Sequence, residues 1–413
     1  MRDRFPSWVW AGVGLAILCH VWLVLSPPAI GAGPLSKTLG RDMASYYYAV
    51  QVASEGGDPY DVAALSEAAR AEGTRDHVHP FFYPPPFLLA VAWTLPLDLS
   101  TAYRLQYWFD ELSLLAAMLA LWGWWRPLGA AVPVAITVYA SLMFPVVYSH
   151  LMGQVNGPIL ALVIAGLWMA QTRRETAGGI LLGCAAMFKM SPAIFVAWWL
   201  LRGQHRAVLS AVGTALVLSL ATLPLLGIAD QFAFYTDILP AFASGDYNGL
   251  TIKIGMFANH SIPNLLDQLF PGDGSRLSDT ARWISTGAAL ALAAAAGWAL
   301  RREDSLEQTA AQVSALFLLA LLIPVYTYEH HLIFALPAMV LGAVLSWRRA
   351  IPGWAIAMVL GASVVLCVPH PLLKPLARTT LGGGPGWLVQ EAKFAALLTL
   401  GTAMFALARG PRK

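Results

Sequence analysis

The sequence predicts an all-α polytopic membrane protein, a bundle of about twelve transmembrane segments with two long external loops that contain amphipathic helices. Three observations predict it. Of the 413 residues, 58% are hydrophobic and only 12% are charged, against roughly 25% charged in ordinary soluble domains. The mean hydropathy is +0.61. Apolar stretches recur along the whole chain near the length of about 20 residues that a helix needs to cross a hydrocarbon core. So little charge cannot cover a soluble surface of this size, which argues against a soluble enzyme, a disordered chain or a nucleic-acid binder. The formal net charge of +3 is too small to suggest a polyanionic partner.

The candidate stretches lie near 8–28, 81–97, 103–125, 128–149, 157–171, 177–200, 207–228, 281–300, 311–326, 330–346, 351–369 and 386–408. The first follows Met1-Arg2-Asp3-Arg4. Its apolar core from Trp8 to Leu25 exceeds the roughly 7–15 residues of a signal-peptide core and reads as an uncleaved anchor. Two stretches carry internal breaks: 128–149 contains Pro133 and Pro145, and 177–200 is interrupted by Lys189-Met190-Ser191-Pro192. Broken helices at membrane depth are tolerated where they line a polar cavity.

Lys and Arg in short loops set orientation. Arg202 and Arg206, Arg301 and Arg302, Arg348 and Arg349, and the tail Arg409, Arg412 and Lys413 read as cytoplasmic. Both termini are then inside a plasma membrane, and the segments 29–80 and 229–280 face outside with the link Glu329-His330-His331. Arg173 and Arg174 break simple alternation. Re-entrant pairs restore it and place Gly153-Gln154-Val155-Asn156 outside. With no repeat and no soluble domain, residues 1–413 read as one integral-membrane domain. The first outer segment carries Tyr46-Tyr47-Tyr48 and a helix-like run from Val62 to Glu72. The second carries Phe232, Phe234, Tyr235, Phe242, Tyr247 and Phe257. Such segments fold onto the protein or lie along the membrane surface. Cys19, Cys184 and Cys367 each sit in an apolar stretch. They read as buried small hydrophobes, not as a disulfide framework or zinc site.

Few polar residues remain, and each needs a reason. Asp42 follows the first span. In a helix, Ser45 and Tyr46 share its face, and its carboxylate can take a proton from a sugar hydroxyl. The alternatives are an exposed loop acid or a partner for Arg41. Gly57-Asp58-Pro59-Tyr60-Asp61 is a turn, in which Asp58 or Asp61 is a second acid or a cap for the next helix. Tyr83, in Phe82-Tyr83-Pro84-Pro85-Pro86-Phe87, is an interface anchor or a groove residue. Lys189 lies inside an apolar stretch, where an ionisable group implies function and a partner. That partner is an anionic phosphate, or else Asp110 or Glu111, with snorkelling as a further alternative. Gln154 and Asn156 flank a helix start, as sugar-binding amides or as caps. Asn259-His260-Ser261 matches the N-glycosylation pattern. Glu329-His330-His331 is the densest ionisable cluster and opens a helix. Free N–H groups and a positive dipole end there suit phosphate, and histidine can also move a proton. Paired histidines can hold a metal, but these lack the i, i+4 spacing of the common zinc motif.

Taken in order, these pieces resemble glycosyltransferase family 87, membrane enzymes of the GT-C superfamily that use polyprenyl-phosphate sugars. The resemblance runs from Asp42 and its tyrosines through Gly57-Asp58-Pro59-Tyr60, Phe82-Tyr83-Pro84-Pro85 and Gly153-Gln154-Val155-Asn156. It continues through Gly183-Cys184-Ala185-Ala186-Met187-Phe188-Lys189 with Ser191-Pro192, to Asn259-His260-Ser261 and Tyr328-Glu329-His330-His331. It implies a GT-C-like bundle with Asp42 as the general base and Lys189, His330 and His331 at the donor phosphate. Tyr46, Tyr83, Gln154, Asn156, Asn259 and Glu329 are expected in the substrate groove. The sequence departs from the family pattern at His260, where the family has glutamine, at Tyr328-Glu329, and in Arg41 before Asp42.

The resemblance further implies inverting, metal-independent transfer of mannose or another pentose or hexose without a cofactor. The donor is a polyprenyl-phosphate sugar, and the acceptor is a hydroxyl of a glycolipid or glycan on the outer face. Membrane lipid is a partner and nucleic acid is not. The rival is a transporter or flippase of lipid-linked or anionic substrates. It would also use a midplane lysine and broken helices, but would usually show paired halves, which this chain lacks. A structural subunit would leave the polar cluster without purpose.

Overall fold

A computed structural model describes residues 5–25, 39–245, 253–272, 276–299, 305–379 and 384–409. The expectations placed on residues 29–38, Tyr247, Arg301, Arg302, Arg412 and Lys413 lie outside them. Helices dominate the described residues, and the pairing between strands reduces to one isolated antiparallel bridge, Asn259 with Tyr328.

Among the described residues, three helical stretches are long and apolar enough to cross a membrane: Ser7–Val24, His205–Thr222 and Glu329–Trp347. An 18-residue helix is about 27 Å long, close to the hydrocarbon thickness. Two bent pairs raise the number to five, Ala131–Leu142 with Phe144–Met152 at 51° and Gly353–Cys367 with His370–Ala377 at 96°. Shorter apolar helices are Asn156–Gln171, Glu175–Phe188, Leu306–Leu322 and Ala392–Ala408. The stretch 81–97 does not form the crossing helix expected of it. Its helix Phe87–Val91 has five residues and passes into a 3-10 turn, Ala92–Thr94. Pro84, Pro85 and Pro86 ahead of it withhold the backbone donors that a longer helix needs.

Burial sorts the helices into a centre and an outer ring. Leu306–Leu322 and Leu336–Trp347 are buried on nearly every side and pack on each other, and Ala392–Ala408 packs against both. Ser7–Val24 and His205–Thr222 instead expose Leu15, Leu18, Trp22, Leu209, Leu216 and Val217. Exposed apolar stripes of this size fit lipid rather than water. Cys19 is on such a stripe and is exposed, against the expectation that all three cysteines are buried; Cys184 and Cys367 are half-buried, and all three thiols are free.

Small residues bring three helices into near contact. A Cβ on Gly178 would meet Gly166 O at 2.5 Å, and one on Gly179 would meet Ala207 O at 2.3 Å. Glu175–Phe188 is thereby held between Asn156–Gln171 and His205–Thr222, the close approach that glycine allows within membranes. Held this way, its last turn delivers Lys189 to a fixed place. There the chain turns extended (φ −153°, ψ 125°) and the helix Ala193–Leu201 starts only after Ser191-Pro192. The residue before a proline avoids the helical region, so the sequence signal for a break here is met by a break.

The described part of the first long polar segment folds onto the bundle. Arg41–Ser54 buries Tyr46, Tyr47 and Tyr48 together. Val62–Ala71 is amphipathic, burying Leu65 and Ala69. Asp61 caps it by accepting from Ala63 N, and Asp58 accepts from Tyr60 N at 2.8 Å, so these two acids serve the turn.

Candidate active site

Where these segments meet the broken helices lies a cavity of about 890 Å³. Of the residues expected at the site, Asp42, Tyr46, Tyr83, Gln154, Lys189, His330 and His331 all line it. Most of the remaining lining is apolar, including Phe82, Phe242, Val325 and Phe334.

Two glycines set the carboxylate. Gly40 sits just before the helix Arg41–Ser54 with φ +61°, and Gly153 turns the chain with φ +68°. A Cβ at Gly153 would lie 2.6 Å from Met43 Cβ, and Gly40 N donates to Leu151 O at 2.9 Å. The helix start and the turn 151–154 are thus locked face to face, which puts Gln154 against Asp42. Gln154 Nε2 donates to Asp42 Oδ2 at 2.6 Å. Its Oε1 accepts from the Tyr83 hydroxyl at 2.9 Å, and the Tyr46 and Tyr83 hydroxyls are 2.7 Å apart. Since the Tyr83 proton goes to Gln154, Tyr46 is the donor to Tyr83. Every proton in the chain points toward the carboxylate, an arrangement in which each bond polarises the next. Asp42 is half-buried and does not pair with Arg41. Burial raises its carboxyl above the usual range, opposed by the nearby His79, the Gln154 hydrogen bond, Lys189 and Arg41. A carboxylate with a raised pKa is a stronger base.

Lys189 bears on the same cavity from the helix break. Its Nζ donates to Asn156 Oδ1 at 2.7 Å and lies 5.8 Å from the centre of the Tyr83 ring. Asn156 Nδ2 in turn donates to His330 O at 3.1 Å. The lysine pairs with neither Asp110 nor Glu111. Those acids form their own buried cluster, in which Glu111 contacts His20 and His150, and Asp110 accepts from Gly157 N at 2.8 Å.

The histidines stand on the 3-10 turn Glu329–Ala335. Tyr328 N donates to His331 Nδ1 at 3.1 Å. A neutral His331 therefore carries its proton on Nε2, which faces His330 Nε2 at 3.1 Å. His330 accepts there and keeps its own proton on Nδ1, a buried atom without a hydrogen-bond partner among the described residues.

Three residues expected in the groove do not line it. Asn156, fully buried, joins Lys189 to the His330 backbone. Asn259 spends its amide on the backbone, donating to Ile254 O and Val325 O and accepting from Thr327 N. At 1% exposure it is also no glycosylation acceptor. Glu329 is wholly buried, bound by Lys393 Nζ and 3.3 Å from His260 Nε2. In each case the side chain turns from the cavity to hold the loop that lines it. Sequence reasoning missed four participants. His79 and Tyr148 line the cavity, and Lys393 and His260 anchor Glu329. His79 has a weak signal in its place before Phe82-Tyr83-Pro84. Lys393, 64 residues from Glu329, has none beyond being a lysine at the start of an apolar stretch.

The model of glycosyltransferase family 87 matches residues 81–324, more than half of the chain. A polyprenol-phosphate-mannose-dependent alpha-(1-2)-phosphatidylinositol mannoside mannosyltransferase of Mycolicibacterium smegmatis is 29% identical over 328 residues, covering 73% of this chain and 70% of the relative. The enzyme of that name from Mycobacterium tuberculosis is 28% identical over 239 residues, 57% of this chain and 52% of its own length. A phosphatidylinositol pentamannoside mannosyltransferase of the same donor dependence, also from Mycobacterium tuberculosis, is 27% identical over 55% of this chain and 50% of its own. The chain thus spans about half the length of two of these relatives.

Proposed function

The chain belongs to glycosyltransferase family 87 and is a glycosyltransferase; from that premise we propose that it transfers mannose, with inversion and without a metal, from a polyprenyl-phosphate donor to a hydroxyl of a membrane glycolipid. One observation carries the reading: a carboxylate and a lysine–histidine group line one cavity from different segments of the chain. We place it in the plasma membrane as a single multi-pass unit of about twelve segments, with both termini inside and the cavity opening outward.

In this mechanism Asp42 takes the proton of the acceptor hydroxyl as its oxygen attacks the anomeric carbon. The bond from that carbon to the phosphate oxygen breaks, and the lipid phosphate leaves with the electron pair. Its charge grows from one to two during the step. Lys189, with His330 and His331 beside it, meets that growing charge, an electrostatic contribution that is largest where water is excluded. Gln154, fixed by Tyr83 and Tyr46, holds the carboxylate in place for attack. One carboxylate suffices, because no covalent sugar–enzyme intermediate is formed.

The test is transfer by the purified protein in detergent, with labelled polyprenyl-phosphate mannose and a phosphatidylinositol mannoside. Labelled glycolipid is the expected product. Its absence, with donor movement only across sealed vesicles, would mean transport instead.

A further inference from the structure

The segment Gln154-Val155-Asn156-Gly157 serves both sides of the cavity. Gln154 donates to the Asp42 carboxylate at 2.6 Å, and Asn156 accepts from the Lys189 ammonium at 2.7 Å. Its own sequence does little to fix it. Val155 stands in the cap position of the helix Asn156–Gln171 and makes no side-chain cap. A valine has no oxygen to offer the free N–H groups of a helix start.

The support comes from another helix. Gln106 and Asp110 stand one turn apart on the helix Leu99–Trp125, share a face and are both buried. Gln106 Nε2 donates to Gln154 O at 3.1 Å, and Asp110 Oδ1 accepts from Gly157 N at 2.8 Å. One helix face thus grips both ends of the segment. The fit leaves no slack at Gly157, where a Cβ would meet Asp110 O and Oδ1, each at 2.6 Å. Asp110 does more than fill out the histidine cluster. Its short bond goes to Gly157 N, whereas His150 Nε2 is 3.7 Å from Asp110 Oδ2 and nearer Glu111 Oε2, at 3.1 Å. A carboxylate and an amide buried in an apolar stretch are costly unless bonded, and these two bond the backbone of the site.

We infer that Gln106 and Asp110 are positioning residues for sugar transfer, which together set the spacing between the group that holds the base and the group that holds the cation. This deepens the transfer reading above and rests on it. In an inverting step the attacking hydroxyl and the leaving phosphate lie on opposite sides of the anomeric carbon, so base and cation must be held in one relative geometry. Gln106 acts on the base through Gln154. Asp110 acts on the cation through Asn156.

The experiment uses the full-length protein in detergent and two readouts: the pH profile of kcat with labelled polyprenyl-phosphate mannose, and the affinity for a non-transferable analogue of that donor. Gln106→Leu loosens the Gln154 bond to the ionised carboxylate, so the acid limb moves upward and kcat falls about tenfold. Its analogue affinity stays within about twofold. Asp110→Ala weakens analogue binding about threefold to tenfold and leaves the acid limb in place. Asp110→Asn keeps an oxygen for Gly157 N and restores binding to within about twofold. Gly157→Ala breaks the same contact from the other side and matches Asp110→Ala, which keeps the test open if the latter fails to fold. In a Lys189→Met background Asp110→Ala costs less than about twofold more, because a residue that acts through the lysine has nothing left to act on. An undiminished cost in that background overturns the inference. So does the same change in both readouts from both residues, the mark of general loosening, and so do unchanged readouts in every variant. Analogue binding that follows this pattern in a protein that transfers no sugar leaves the part of Asp110 standing and removes the reaction assigned to the cavity.

Discussion

The two sides of the cavity are built on opposite plans. On the carboxylate side, Asp42, Gln154, Tyr83 and Tyr46 form a closed hydrogen-bonded series, with donors and acceptors matched. On the cationic side, Lys189 is steadied by Asn156, but the His330 Nδ1 proton has no partner among the described residues. The first plan suits a base, whose position must be fixed before the substrate arrives. The second suits the recognition of an anion, because Lys189 is held by a neutral amide and forms no ion pair among the described residues. The supports also differ. The carboxylate side rests on glycine contacts between a helix start and a turn, whereas the cationic side rests on a helix break and a short 3-10 turn anchored by the buried Glu329–Lys393 pair.

Substitutions can break this contrast. The largest effect is expected from Asp42→Asn, which keeps the shape and one hydrogen-bonding oxygen but abolishes the base. Turnover measured with labelled donor should fall about 10²–10⁴-fold. Next is Lys189→Met, which removes the charge facing the leaving group and should lower kcat roughly 10²-fold, while KM for the acceptor moves little. A rise in the acceptor KM as large as the loss in kcat would make the lysine a structural residue. His330→Ala should cost about tenfold in donor affinity, in line with one hydrogen bond to a charged group; donor titration of the variant checks it.

The smallest effect sharpens the contrast through pH. Asp42 works as a base only when ionised, and burial raises its carboxyl. Activity should therefore be lost as pH falls through a value above the usual carboxylate range. Gln154→Leu removes a hydrogen bond that favours the ionised form, so the acid limb of the kcat profile should move further upward. An unmoved limb, or one displaced to lower pH, would mean that Asp42 is not the titrating group.

The sequence showed the charged members of the site because an ionisable group in an apolar stretch is expensive and so stands out. Lys189 was legible in that way, Asp42 and the His330–His331 pair through their order in the family resemblance, and the helix break at Lys189 was written in Ser191-Pro192. The amides and Glu329 were not separable by the same logic. An asparagine that binds a sugar and one that binds backbone carbonyls read alike until the chain is folded. Asn259 satisfies Ile254 O and Val325 O, the latter 66 residues away, and no local pattern encodes that distance. The fate of single apolar stretches was hidden for a related reason. Stretches such as 81–97 are apolar enough to cross a membrane, yet three prolines in a row confine their helix to a single turn or so. Phe87 and Leu88 are buried in the protein core rather than set against lipid, Phe87 against the rings of Tyr46, Phe81 and Tyr83.

The central claim is that Asp42 and Lys189 serve opposite ends of one displacement across one cavity. Donor binding by Asp42→Asn and Lys189→Met, measured side by side with a non-transferable polyprenyl-phosphate mannose analogue, tests it most directly. Asp42→Asn should bind the analogue within about twofold of the unaltered protein, and Lys189→Met at least tenfold more weakly, the difference made by losing one charge-assisted contact. Equal weakening in both, or weakening in Asp42→Asn alone, would contradict the division of labour described.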